Sequence, residues 1–309
     1  MQPKLHTRRL DGLIEVGQAQ ANPGRHPLAD VLLLAPEAHC LGVGIAECQA
    51  DHGPLLGGGG SSRRPRWDTD VGITDRDVAA LRWLGQQYAA RSDVLRVLLG
   101  RLSPGSPRVA GQLGEATLRD MLDRWEDRGL VARDRLLGFL WVAPTPKALR
   151  LVGLDVRAWS FVIPQLAHVH AVGIVRLALE PSIPEGGRWL SERELRREAG
   201  KSHVPDAAIK LPEDPEVVAG AGLYGEDVDP LPRRVAVEVE LTRKGAARLR
   251  EAWTRPRHGR WTRTVYYAPP EVAGYLSGQL QRIRPRHPIQ VHPLPEVAGV
   301  TYLRPGGTS

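Results

Sequence analysis

Lysine is scarce in this sequence, with only Lys4, Lys147, Lys201, Lys210 and Lys244 present, so arginine supplies most of the 42 basic residues that face 35 acidic ones. A formal charge of +7 and a pI near 9.8 favour polyanionic partners such as nucleic acid and say nothing about fold. An Arg-, Ala-, Gly- and Pro-rich chain is also what a GC-rich genome encodes, so charge alone does not choose the partner. Cysteine is nearly absent. Cys40 and Cys48 make no disulfide framework and suit a reducing, cytoplasmic setting. No apolar run reaches the roughly 18 residues of a membrane helix, so no membrane partner is expected. The opening MQPKLHTRRLDG is basic but lacks the apolar stretch of a secretory signal. At 309 residues the chain suits two domains or one large one.

Residues 1–70 have little periodicity beyond an apolar burst from Val31 to Ala35, and they end in GGGGSSRRPR. We read this region as a disordered tail and flexible basic linker. His39, Cys40, Cys48 and His52 lack the paired CxxC spacing of a zinc knuckle and are read as metal-free.

Residues 71–155 are patterned as helices followed by a hairpin. Thr74 and Asp77 stand at capping-box spacing before an apolar repeat of Val78, Leu81, Trp83, Leu84 and Tyr88. Ser92 is placed to cap a second helix ended by Gly100. A third helix carries the stripe Leu118, Met121, Leu122 and Trp125 and stops at Gly129. The segment VARDRLLGFLWVAPTP then reads as a short hairpin, and KALRLVG as a closing helix.

Beyond residue 160 the order of elements is helix, strand, strand, strand, helix, strand, helix, strand. The first helix is QLAHVHAVGIVRLALE, and Ser191 to Glu194 in SERELRRE has capping-box spacing. HVPDAAIKLP and RRVAVEVEL alternate with the strand period. Asp206, Ala208 and Lys210 share one face of the first, and Ala236, Glu238 and Glu240 share one face of the second. Acids in an apolar strand are costly unless paired, and a divalent cation held by oxygen ligands is one solution. An ordinary half-exposed sheet with its acids in water fits the same spacing. His168 and His170 are two apart on a helix and do not share a face; His168 reads as packing or capping. His203 is the better histidine for touching substrate. Tyr266 and Tyr267 read as strand packing, and no tyrosine-and-histidine cluster of the HUH relaxase kind is visible.

Three sets of motifs carry a resemblance. Leu122 to Val131, L-x-x-W-E-D-R-G-L-V, ahead of a hairpin resembles the winged helix-turn-helix family. Pro205-Asp206 with Glu238-Val239-Glu240 resembles the PD-(D/E)xK nuclease superfamily, with Glu240 departing from the usual Lys. The two together, with W-x-S-E-x-E-L from Trp189 to Leu195, resemble the replication-relaxation family of plasmid and mobile-element proteins. The implied fold class is α+β or α/β with two domains: a winged helix over 71–155 and a restriction-endonuclease-like αβββαβ sheet domain over 160–304.

The implied partner is double-stranded plasmid or mobile-element DNA, with a second copy of the chain as a further partner. Thr117, Arg119 and Arg124 on the third helix would face DNA, with Arg108, Arg133 and Arg135 near the backbone. If the site hydrolyses DNA, Asp206 and Glu238 would ligate Mg²⁺ or Mn²⁺. Glu240 would join them or orient the attacking water, and Lys210 or Lys244 would offset developing charge; Glu192 or Glu194 could add a ligand. The alternative is a non-catalytic replication or transcription factor that keeps the nuclease fold as a scaffold. A third is an assembly protein that makes no DNA contact.

Overall fold

The computed structural model describes residues 72–103, 108–109, 111–199, 203–212, 234–254 and 261–303, with backbone alone at 108–109. All of them belong to one compact unit. The expectations for residues 1–70, including the apolar burst, the glycine linker and the His39, Cys40, Cys48 and His52 group, lie outside the described residues.

Helix α1 (Asp75–Gln87) starts at the predicted box. The Asp77 amide donates to the Thr74 hydroxyl at 3.2 Å, and the Thr74 amide donates to the Asp77 carboxylate at 3.0 Å. Strand β1 (Ala90–Arg91) leads into α2 (Ser92–Arg101), where the expected Ser92 cap is corrected. Ser92 is the first helical residue, and Arg91 holds the cap position without a side-chain bond. Asp93 takes over the end instead, accepting from the Val94 amide at 2.8 Å while pairing with Arg91.

A short hairpin of β2 (Arg108–Val109) and β3 (Gln112–Leu113) precedes α3 (Glu115–Asp127), whose predicted apolar stripe is buried. Gly129, at φ +63°, ends that helix. Its amide donates to Glu126 O at 2.7 Å, and the Leu130 amide donates to Trp125 O at 2.8 Å, the paired bonds of a Schellman stop. Strands β4 (Val131–Leu136) and β5 (Phe139–Pro144) form the expected hairpin, turned by Leu137 and Gly138, both at positive φ. With β1 they make an antiparallel sheet of order β1-β5-β4. Helix α4 (Pro146–Leu151) follows, capped by Thr145.

The second half runs α5 (Ile163–Leu179), β6 (Arg188–Ser191), α6 (Glu192–Ala199), β7 (Ala207–Lys210), β8 (Arg234–Val239), α7 (Ala246–Thr254), β9 (Arg263–Ala268), α8 (Pro270–Arg282) and β10 (Ile289–Pro293). The five strands pair in the order β10-β9-β8-β7-β6. Strands β6, β7 and β8 are antiparallel, and β8, β9 and β10 are parallel. Parallel neighbours need crossovers, which α7 and α8 supply. Leu249 and Trp253 of α7 and Val272 and Leu276 of α8 pack with Tyr266 and Ala268 in one apolar layer. Central strand β8 is buried from Val235 onward, Glu238 and the adjoining Glu240 included. A half-exposed sheet is therefore not where these acids sit.

The two halves share a core. Leu177 of α5 belongs to the apolar cluster of α1, α2 and α3, against which Val297 and Val300 also pack. Arg176 of α5 is buried, lies 4.8 Å over the Trp83 ring and pairs with Glu180 at 2.9 Å. After β10 the chain returns to the first half, where Leu303 packs with Trp141 and Leu166. The His170 Nε2–H donates to Thr301 O at 2.9 Å.

Asp77 is fully buried, closes the capping box and lies 3.3 Å from Arg124. Asp77→Ala is expected to lower unfolding stability by about 2–3 kcal/mol through the lost cap and the unpaired guanidinium, measured by urea melts. Burial, with the charge of Arg91, pushes His170 down to about 4, opposed only in part by Thr301 and Asp93. The unfolded chain takes up this proton near pH 6.5 and the folded chain only near 4, so stability falls as pH drops through that window. The expected loss is about 3 kcal/mol, and urea melts of His170→Gln from pH 7 to 4 should show a shallower fall than wild type.

Candidate functional site

The end of α1 meets α5 and the acid-bearing sheet at a cleft of about 320 Å³. Its walls are the end of α1 with Gln87 and Tyr88, the first half of α5 with His168, and the β6–α6–β7 edge with Glu192, Arg196 and Asp206. The helical spacing of His168 and His170 sends them to different surroundings, as expected. The reading of His168 as a packing or capping residue is corrected: its Nε2 lies 3.0 Å from Asp206 Oδ1. The second oxygen of Asp206 accepts from the Val239 amide at 2.7 Å. One carboxylate thus ties α5 to the β7–β8 ladder.

Tyr88 follows α1 in an unusual conformation, φ +76°, ψ −59°, a geometry that stores about 1–3 kcal/mol in a non-glycine residue. Three contacts hold it there. Its hydroxyl donates to Glu192 at 3.0 Å, Arg193 lies 4.7 Å over its ring, and Trp159 packs at 5.9 Å. Burial, reinforced by Glu192, pushes the Tyr88 phenol up to about 12, so it is a neutral hydrogen-bond donor near neutral pH. Glu192 also pairs with Arg196 one turn along α6. At His168 burial works against protonation, but the Asp206 hydrogen bond and charge, aided by Glu192 and Glu240, outweigh it and raise the imidazole above its ordinary value.

The β7–β8 ladder sets Ala207 against Val237, which brings Asp206 to the level of Glu238. The β6–β7 ladder sets Ser191 against Ala207, which brings Glu192 to the level of Asp206. The acids therefore lie at one end of the sheet, yet their contacts differ. Asp206 is held by His168, Glu238 lies 3.3 Å from His203, and Glu240 pairs with Lys244 while its other oxygen is 3.4 Å from the Thr242 amide. Among the described residues no group of three or more His, Cys, Asp or Glu side chains stands ready to hold a metal ion. The oxygens of Asp206 and Glu240 face chain donors, which a divalent cation held by Asp206, Glu238 and Glu240 would have to displace. Lys210 is at the far end of β7, opposite Arg234 and Arg188, some 13 Å along the strand from Asp206. It is not brought to the acids. Lys244 is.

The residues expected to face DNA divide in the same way. Arg119 is well exposed on α3, 3.9 Å from Glu115. Arg124 turns to Asp77, and Arg133 is held by Asp123 at 2.6 Å and by Glu126. Arg135 is exposed on β4, and Thr117 is half-buried near the start of α3. The side chain of Arg108 lies outside the described residues.

Set against known proteins, the chain matches no family model, no curated protein and no solved structure. The site therefore rests on its own geometry. Tyr88 and Arg196 are its unforeseen members. Tyr88 fitted the apolar repeat of α1, and nothing in the residue pattern marks a positive φ or a partner about a hundred positions away. For His168 the signal was its place near the start of a helix that precedes the acid strands.

Titration of His168 followed by NMR is expected to give a value above 6.5 in the wild type and a lower one in Asp206→Asn. The pair's contribution to stability is full below pH about 6.5 and fades as pH rises through the folded value.

Proposed function

We propose that this chain is a DNA-binding protein of the replication-relaxation kind, serving a plasmid or mobile element, and that it holds duplex DNA without cutting it. In this reading α1 to β5 act as a winged helix, and α5 to β10 form a nuclease-like sheet kept as a scaffold. The observation that carries it is the exposed side of α3 beside the β4–β5 hairpin. The buried stripe of α3 leaves Glu115, Arg119, Asp120 and Asp123 on the solvent side, and the hairpin extends past them to an exposed Leu137. A helix so presented enters a major groove while the hairpin meets the backbone. Arg119 suits guanine, and Asp120 or Asp123 suits the amino group of cytosine.

The contacts of the acids support binding without hydrolysis. His168, His203, Lys244 and Arg196 each lie against one of the four carboxylates, and a metal would have to displace those contacts. A second reading, hydrolysis, is favoured by one observation: Asp206, Glu238 and Glu240 occupy the same end of a mixed five-stranded sheet, although helix α6 stands between β6 and β7 where the expected order has none.

Mobility shifts on duplex DNA across a salt series test the proposal, together with supercoiled plasmid incubated with Mg²⁺ or Mn²⁺. The expected result is a salt-dependent shift that persists in Asp206→Ala and Glu238→Ala, with plasmid left supercoiled. Metal-dependent nicking that both substitutions abolish would establish the second reading. Absence of any shift at low salt would end both.

A further inference from the structure

The arginines that a helix-and-hairpin reader needs for phosphates are largely engaged in this protein. Arg124 and Arg133 pair with carboxylates of the first half, and Asp120, Asp123 and Glu126 repel a DNA backbone. A different part of the surface carries guanidinium groups that make no ion pair among the described residues. Helix α8 ends at Arg282, and the chain continues through Ile283, Arg284, Pro285, Arg286 and His287.

That continuation has a fixed inside and outside. Ile283 adopts an extended conformation (φ −104°, ψ 119°) and is buried in the layer between α7, α8 and the sheet. His287 Nε2 lies 3.1 Å from the Thr264 hydroxyl of β9, and the Thr264 amide donates to Pro288 O at 2.9 Å. With Ile283 and His287 anchored inward, Arg282, Arg284 and Arg286 are left exposed. The Arg286 amide donates to Trp253 O at 3.2 Å, which sets the row against the last turn of α7; Arg250, in the turn before it, is also exposed. The neighbouring acid, Glu251, is already engaged.

An arginine in the last turn of a helix complements the helix dipole. That accounts for Arg282 but not for Arg284 or Arg286, which lie beyond the helix. We infer that Arg282, Arg284 and Arg286 form a phosphate-binding row that grips the backbone of duplex DNA. The row rests on the DNA-binding function proposed above and adds to it the place where affinity is generated. Three guanidiniums within residues 282–286 meet a duplex whose strands each carry one charge per roughly 3.4 Å of axis. Base reading by α3 and backbone holding by the α8 end then fall to separate surfaces.

The full chain carrying Arg282→Gln, Arg284→Gln and Arg286→Gln together, beside the matching triple lysine variant, tests this on mixed-sequence duplex DNA by fluorescence anisotropy. The slope of log K against log salt is expected to fall in magnitude by about 2–3 in the glutamine variant, with affinity near 0.1 M salt down about tenfold or more. The lysine variant, which keeps the charge, is expected to retain the slope, and both variants should melt at the wild-type temperature. A glutamine variant with an unchanged slope overturns the row while wild-type binding leaves the DNA reading in place. A wild-type chain that binds no duplex at low salt removes both, and a lysine variant that binds as weakly as the glutamine one overturns the electrostatic assignment.

Discussion

Carboxylates buried at the end of a sheet must be met by positive charge or hydrogen-bond donors, because an isolated buried charge is too costly to keep. In this protein the chain meets them itself. Asp206 is gripped from two sides, by His168 on α5 and by the Val239 amide on β8, so a single side chain joins a helix to a β-ladder. Glu192, Glu238 and Glu240 are met by Arg196, His203 and Lys244. The compensation also explains the cleft. His168 and Arg196 come from helices α5 and α6, His203 and Lys244 from loops, and the cleft that His168 and Arg196 line opens against Tyr88.

The same requirement binds the two halves of the described chain. Helix α5 serves both, with Leu177 in the first apolar cluster and His168 on the acids of the second half. Buried Arg176 depends on this arrangement, since Glu180 and the Trp83 and Trp189 rings all lie around it. The segment after β10 closes the structure from the other direction, bringing Thr301 to Arg91, Asp93 and His170. A ligand that altered the cleft would act on α5 and hence on both halves.

The proposed DNA surface follows a division of labour that charge alone would not suggest. The chain is basic, yet the solvent side of α3 is rich in acids, and those acids hold arginines that would otherwise serve phosphates. Acids on a groove-reading helix weaken general binding and sharpen base discrimination. In the proposed reading the non-specific share of affinity comes from arginines not held in this way, those of the row after α8.

Local pattern determined much of the molecule. The capping boxes at Thr74 and Ser191, the stripe of α3 with its Gly129 stop, the β4–β5 hairpin and the strands after residue 160 were legible, because each rests on contacts within a few residues, whereas helix α6 between β6 and β7 is missing from the expected order of elements. Ser92 misled because a neighbouring Asp93 competed for the same helix end. What only tertiary structure decided was partnership. Alternation put Asp206, Glu238 and Glu240 on like faces of two strands, but it was silent on the contacts that His168, His203 and Lys244 make with them. Tyr88 could be seen as a helix residue and not as Glu192's donor. Spacing along a chain reports which side a residue takes on its own element. Long-range packing alone sets which group, from some forty or a hundred positions away, arrives opposite it.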